Sequence, residues 1–158
     1  MLNIVLTRID DRLIHGQVMT SWVQFTRANR IVIVDDGVAK DKFIASVISM
    51  SVPSGIKLNI CDIESGAELL KGEPNEKDKV IVLCKYPETV YALLEKGVVI
   101  KELNVGGMGA SAGRKKLYKN ISASKEEIEI YKKIMSKDVK VSIRIIPDDS
   151  ITQMAKLV

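Results

Sequence analysis

The chain has 158 residues and a formal net charge of +4, and no apolar run approaches the roughly 20 residues of a membrane span. Hydrophobic residues at 46% and charged residues at 28% exclude a disordered chain and suit one domain, residues 1–158, with a core of its own. Aromatics at 4%, with no nucleic-acid-binding motif, point to phosphate or an acidic partner and away from nucleic acid. Arg8 and Asp10 arrive too early for a secretory leader. Cys61 and Cys84 fit no metal spacing and read as small buried residues of a reducing compartment, so a cytoplasmic protein is expected.

The first strand is expected over Asn3–Thr7. It runs into Arg8-Ile9-Asp10-Asp11-Arg12-Leu13-Ile14-His15-Gly16-Gln17-Val18, which holds the one histidine of the chain. A neutral imidazole is nucleophilic near pH 7, arginines hold phosphate oxygens in a fork, and a carboxylate orients the ring. Gly16 lets other backbone approach closely. This much charge does not suit a dry core, so the stretch reads as a phosphate-handling loop rather than as packing.

Next come a helix at Gln17–Thr26, with Val18, Trp22 and Phe25 on one face, and a strand at Arg30–Val34. A helix over Ala39–Met50 groups Phe43, Ile44, Val47 and Ile48. A strand at Lys57–Cys61 leads to a helix at Glu64–Leu70 capped by Asp62. A strand at Val80–Cys84 precedes a helix opened by Pro87 and running to Glu95. Further strands are expected at Glu102–Val105, Tyr118–Ile121 and Val139–Ile146. Ser124 to Glu127 spell a capping box for a helix reaching about Met135, and a short final helix is expected after Pro147. Runs such as Ile31–Val34 and Val80–Leu83 are apolar throughout, as in strands buried on both faces. Strand–helix alternation predicts a doubly wound α/β domain with a mostly parallel sheet of six to seven strands and helices on both faces. Its site should lie beyond the carboxyl ends of the strands.

The second informative stretch is Gly106-Gly107-Met108-Gly109-Ala110-Ser111-Ala112-Gly113, followed by Arg114, Lys115 and Lys116. It is neither a dinucleotide fingerprint nor a Walker loop. On the same sheet edge as His15, Gly106 and Gly107 could present amides to an anion, and Arg114 could bind phosphate or steer an acidic partner. Two other readings stand beside the phosphohistidine site. The acids Asp10, Asp11 and Asp62, with Lys85, resemble, poorly, the acid-and-lysine set of a receiver domain phosphorylated on Asp. The glycine-rich loop alone would suit a non-catalytic nucleotide- or phosphate-binding module.

The stretch Arg8–Val18 with Trp22 resembles the active loop of IIB components of the mannose/fructose/sorbose family of the bacterial sugar phosphotransferase system. Val34-Asp35-Asp36 followed by Val38-Ala39-Lys40-Asp41, and Asn104-Val105-Gly106-Gly107-Met108, are similar to the same family. Gly109–Lys119 departs from it, being rich in glycine and lysine. The resemblance implies that His15 carries a phosphoryl group on Nδ1, taken from a phosphohistidine on a IIA domain. The group then passes to a sugar at the IIC/IID membrane permease, with which the domain would associate peripherally. It implies Arg12 and Arg8 as neutralisers of the phosphate, Asp10 as the group orienting His15, and the amides around Gly16 and Gln17 as further phosphate contacts. No metal and no cofactor are implied. Family members often pair as dimers; the sequence leaves both the oligomeric state and the sugar open.

Overall fold

The computed structural model describes residues 1–158. Its elements are β1 (Ile4–Asp10), α1 (Gly16–Thr26), β2 (Arg30–Val34), α2 (Asp36–Lys40), α3 (Lys42–Met50), β3 (Lys57–Cys61), α4 (Ile63–Lys71), β4 (Val80–Cys84) and α5 (Pro87–Glu95). There follow β5 (Glu102–Gly107), β6 (Lys115–Tyr118), β7 (Ile121–Ala123), α6 (Lys125–Met135), β8 (Lys140–Ile143), β9 (Thr152–Gln153) and a 3₁₀ turn, Met154–Lys156. A seven-stranded sheet runs in the order β3-β2-β4-β1-β5-β8-β9. It is parallel throughout except for β9, which pairs antiparallel with β8.

The central strands show why the expected apolar runs are strands. Every residue of β2 and β4 is buried, and side chains alternate between the two faces. Val32, Val34, Val80 and Val82 join a large core with α4, α5 and α6. Ile31, Ile33, Ile81 and Leu83 join a smaller one with α1, α2 and α3. The doubly wound α/β architecture is therefore as expected.

Several boundaries differ for local reasons. The helix expected over Ala39–Met50 is two helices. Asp41 stays extended, and its carboxylate accepts from Phe43 and Ile44 N–H, both at 3.1 Å, which caps α3 and ends α2. Only Ile48 of the expected inward set is buried, while Phe43, Ile44 and Val47 are exposed. On α1, Trp22 is buried but Phe25 is not. Tyr118–Ile121 is no strand but the turn of a hairpin, β6 with β7, that stands apart from the main sheet; Lys119 there has φ +48°. β8 stops at Ile143. The tail forms β9 and the 3₁₀ turn in place of a regular final helix. β1 continues to Asp10, three residues past its expected end, which puts both Arg8 and Asp10 inside the sheet. No helix is long and apolar enough to cross a membrane.

Candidate functional site

The site begins in the last residues of β1. Ile9 faces the large core, so Arg8 and Asp10, two residues apart, share the opposite face. Both side chains are fully buried. Asp10 has several donors for its charge: Oδ1 accepts from Arg12 N–H at 3.1 Å and Arg12 Nε at 3.0 Å. Oδ2 accepts from Arg12 at 3.1 Å and from Arg8 at 3.2 Å. A buried carboxylate is tolerable only when paired and hydrogen-bonded in this way. The bond to Arg12 N–H is also an Asx turn, and Leu13 N–H closes the same turn on the Asp10 carbonyl at 2.9 Å. Leu13 follows with φ +56°, a left-handed conformation that a leucine adopts only when its surroundings enforce it. Its side chain is buried and anchors the turn.

That turn delivers His15 to the N-cap of α1, with an extended backbone and no capping bond from its side chain. The imidazole is one-quarter exposed. Nδ1 lies 3.1 Å from the Leu13 carbonyl oxygen, and Nε2 lies 3.8 Å from Asp10 Oδ2 without a hydrogen-bond partner. The first turn of α1 contains no acidic side chain, so its orphan amides and dipole remain open to an anion beside the ring. Gly16, with φ +44°, and Gln17 are exposed there. Arg12 is clasped to Asp10 through Nε and one terminal nitrogen, yet 47% of its side chain is exposed, so part of its fork is free to meet phosphate.

Four residues do not stand where the sequence reading put them. Arg8 meets no solvent. Its guanidinium donates to Asn104 Oδ1, to the Arg144 carbonyl at 3.0 Å, to the Ile145 carbonyl at 3.1 Å and to Asp10, and lies 5.2 Å from the Trp22 ring centre. Burial lowers its pKa to about 10, against the opposing pull of Asp10. It supports Asp10 from beneath and cannot itself reach a phosphate. Gly106 and Gly107 are buried and matter for the space they leave. A Cβ on Gly106 would fall inside the Arg8 guanidinium, and one on Gly107 would lie 2.7 Å from Asp10 Oδ1 and 3.0 Å from Arg12. Arg114 is no exposed lip. It forks onto Glu127 at 2.9 and 2.8 Å, donates to the Gly109 carbonyl at 2.8 Å, and is only 9% exposed. Lys115 and Lys116 remain exposed.

Sequence reasoning missed the Arg144–Ile145 carbonyls and the role of Trp22, whose indole N–H donates to the Ile145 carbonyl at 3.0 Å. Asn104 completes this bed by donating to the Arg144 carbonyl at 3.0 Å. Backbone acceptors leave no signature in side-chain identity. The receiver-like set is not assembled: Asp62, just past the end of β3, caps α4 through Ser65 N–H at 2.7 Å, and β3 lies three strands, about 14 Å, from β1.

Comparison with known proteins places the chain among the IIB components of sugar phosphotransferase systems, which are phosphotransferases. Within them it belongs to the sorbose subfamily: the family model "PTS system sorbose subfamily IIB component" matches residues 4–158. The fructose-specific EIIB component of Bacillus subtilis (strain 168) is 35% identical over 150 residues, covering 95% of this chain and 92% of that protein. The mannose-specific EIIAB component of Escherichia coli (strain K12) is 32% identical over 97% of this chain, which spans 47% of that longer protein. The crystal structure of the IIBSor domain of the Klebsiella pneumoniae sorbose permease superposes with a TM-score of 0.91 at 32% identity. It covers 98% of this chain and 94% of that one.

Proposed function

We propose that His15 is the phosphoryl carrier of a sugar-transporting phosphotransferase system, taking the group from a phosphohistidine on a IIA protein and passing it to a sugar at a IIC/IID permease. The observation that carries this reading is the placement of a partly exposed imidazole at the open N-terminus of α1, backed by a buried carboxylate and flanked by a half-exposed arginine. The fusion of IIA with IIB in the mannose-specific relative supports a IIA partner. The domain works at the membrane surface beside the permease, and sugar selection belongs to the permease.

The chemistry needs little beyond position and charge. Nδ1 attacks the phosphorus of the donor phosphohistidine, the N–P bond to His15 forms as the donor N–P bond breaks, and the donor imidazole leaves. For this Nδ1 must carry a lone pair, whereas its 3.1 Å approach to the Leu13 carbonyl suits an N–H. The ring therefore turns off Leu13 as the donor docks, exchanging its Nδ1 proton for one on Nε2 through solvent water, and Nε2–H closes its 3.8 Å gap to Asp10. Arg12 and the amides at Gly16 and Gln17 neutralise the equatorial oxygens. Charge stabilisation by a guanidinium and amides requires no metal for the step.

Labelling from phosphoenolpyruvate through the general phosphotransferase proteins and a IIA partner tests this. The phosphoprotein should be stable in alkali and labile in mild acid, its final transfer should proceed in excess chelator, and folded His15→Gln should take up no label. Alkali-labile phosphate, or full labelling of His15→Gln, contradicts the proposal.

A further inference from the structure

Asp11, next to the carboxylate that supports His15, faces away from the imidazole. Its Oδ2 accepts from Gly109 N–H at 2.7 Å and from Arg114 at 3.4 Å. Arg114 holds Glu127 with a two-bond fork, and Glu127 also accepts from Ser124 N–H at 3.0 Å, closing the capping box of α6. The result is a chain of charges, Asp11–Arg114–Glu127, from the active loop to the first turn of a helix more than 110 residues later in sequence. Arg114 and Glu127 side chains are each 9% exposed. Hydrogen bonding to Glu127 raises the Arg114 pKa, and although burial pushes Glu127 upward, the Arg114 fork and the Ser124 amide carry it below its ordinary value. The β6–β7 hairpin stands outside the main sheet, and Arg114 sits at its base.

The active loop needs such an anchor. Leu13 is held at φ +56°, and the turn that contains it sets the position of His15. Released at Asp11, the loop can relax Leu13 towards ordinary backbone and spread His15 over several positions. We infer that Arg114 is a positioning residue for phosphoryl transfer, acting through Asp11 to hold the His15 loop, with Glu127 fixing Arg114 in turn. This rests on the phosphocarrier reading for its kinetic consequence, but the loop geometry it describes does not.

The test compares Arg114→Gln, Asp11→Asn and the double variant with the unaltered protein, by amide hydrogen exchange and by single-turnover transfer from phosphorylated IIA. Exchange at Arg12–Gly16 should quicken about tenfold in Arg114→Gln, with the interior of α1 unchanged. The rate constant at saturating donor should fall about tenfold, with full labelling amplitude, half-saturation within about twofold and the same salt slope. The double variant should be no slower than the worse single one, because both cut the same bridge. Arg114→Lys, which keeps charge without the fork, should recover part of the rate. If Arg114→Gln does not fold, Asp11→Asn, at the more exposed end, carries the same expectations. Unchanged exchange in the loop overturns the inference whatever the chemistry of transfer. So does a defect confined to half-saturation and salt slope, the mark of a docking charge, or multiplicative losses in the double variant. Absence of phosphate on His15 in the unaltered protein would overturn the phosphocarrier reading alone, and the exchange result would still decide the bridge.

Discussion

At the scale of single residues, the site separates charges that hold from one that reaches. Asp10 is the only carboxylate bonded to the buried Arg8, so Asp10→Asn leaves a guanidinium in a dry site without a counter-charge. It should destabilise the fold by about 3 kcal/mol, measured by urea denaturation, beyond any loss of transfer. A change under about 1 kcal/mol would mean that the carbonyls of Arg144 and Ile145 suffice for Arg8. Arg12 differs because nearly half of it is in solvent. Arg12→Lys keeps a charge but not a fork, and should slow transfer from phosphorylated IIA at least tenfold while moving stability by under about 1 kcal/mol. A normal single-turnover rate would remove Arg12 from the mechanism. The resting imidazole should be the Nδ1–H tautomer bonded to Leu13, visible in ¹⁵N chemical shifts of the ring. Finding Nε2–H in the resting protein would show that no turn of the ring precedes attack.

At the scale of elements, the glycines of β5 make the sheet edge compatible with buried charge. Gly106→Ala drives a methyl into Arg8 and should cost about 2–4 kcal/mol in stability, more than the same change at exposed Gly109, where a Cβ would meet only Asp11 Oδ2 at 3.5 Å. Equal tolerance at both positions would contradict the packing described for Arg8. The strands were legible because β2 and β4 are apolar on both faces, and α6 was legible because Ser124 and Glu127, three positions apart, carry its start. The break at Asp41 was hidden by an apolar pattern that continues through Phe43, Ile44 and Val47, although those side chains face solvent. His15 and its loop stood out because histidine, arginine and aspartate crowd one strand end. The true position of Arg8 did not, since an arginine that reaches a ligand and one buried beneath it have the same letter. Arg114 was misplaced for a related reason: its partners Asp11 and Glu127 lie 103 and 13 residues away.

At the scale of the whole molecule, the parallel sheet brings the carboxyl ends of β1 and β5 together, with Asp10 opposite Gly107, and the β6–β7 hairpin meets the end of β5 where Ser122 N–H donates to the Met108 carbonyl at 2.8 Å and Asn120 to the Gly106 carbonyl at 3.2 Å. The Glu127 pairing makes this assembly acid-sensitive. Its folded pKa is depressed, so its contribution to stability is present above the ordinary value of 4.5 and is lost as pH falls through the lower folded value. The melting temperatures of the unaltered protein and Glu127→Gln should differ at pH 7 and converge as pH falls below the depressed Glu127 value. A gap that stays constant with pH would contradict the depressed value. All of this organisation serves the role proposed for His15, carrying the phosphoryl group on Nδ1. The direct test is ³¹P and ¹⁵N spectroscopy of the protein phosphorylated by its IIA donor with ¹⁵N-labelled histidine. A single phosphoramidate signal coupled to Nδ1 of the one histidine is expected. An acyl-phosphate signal without nitrogen coupling, or coupling to Nε2, would contradict it.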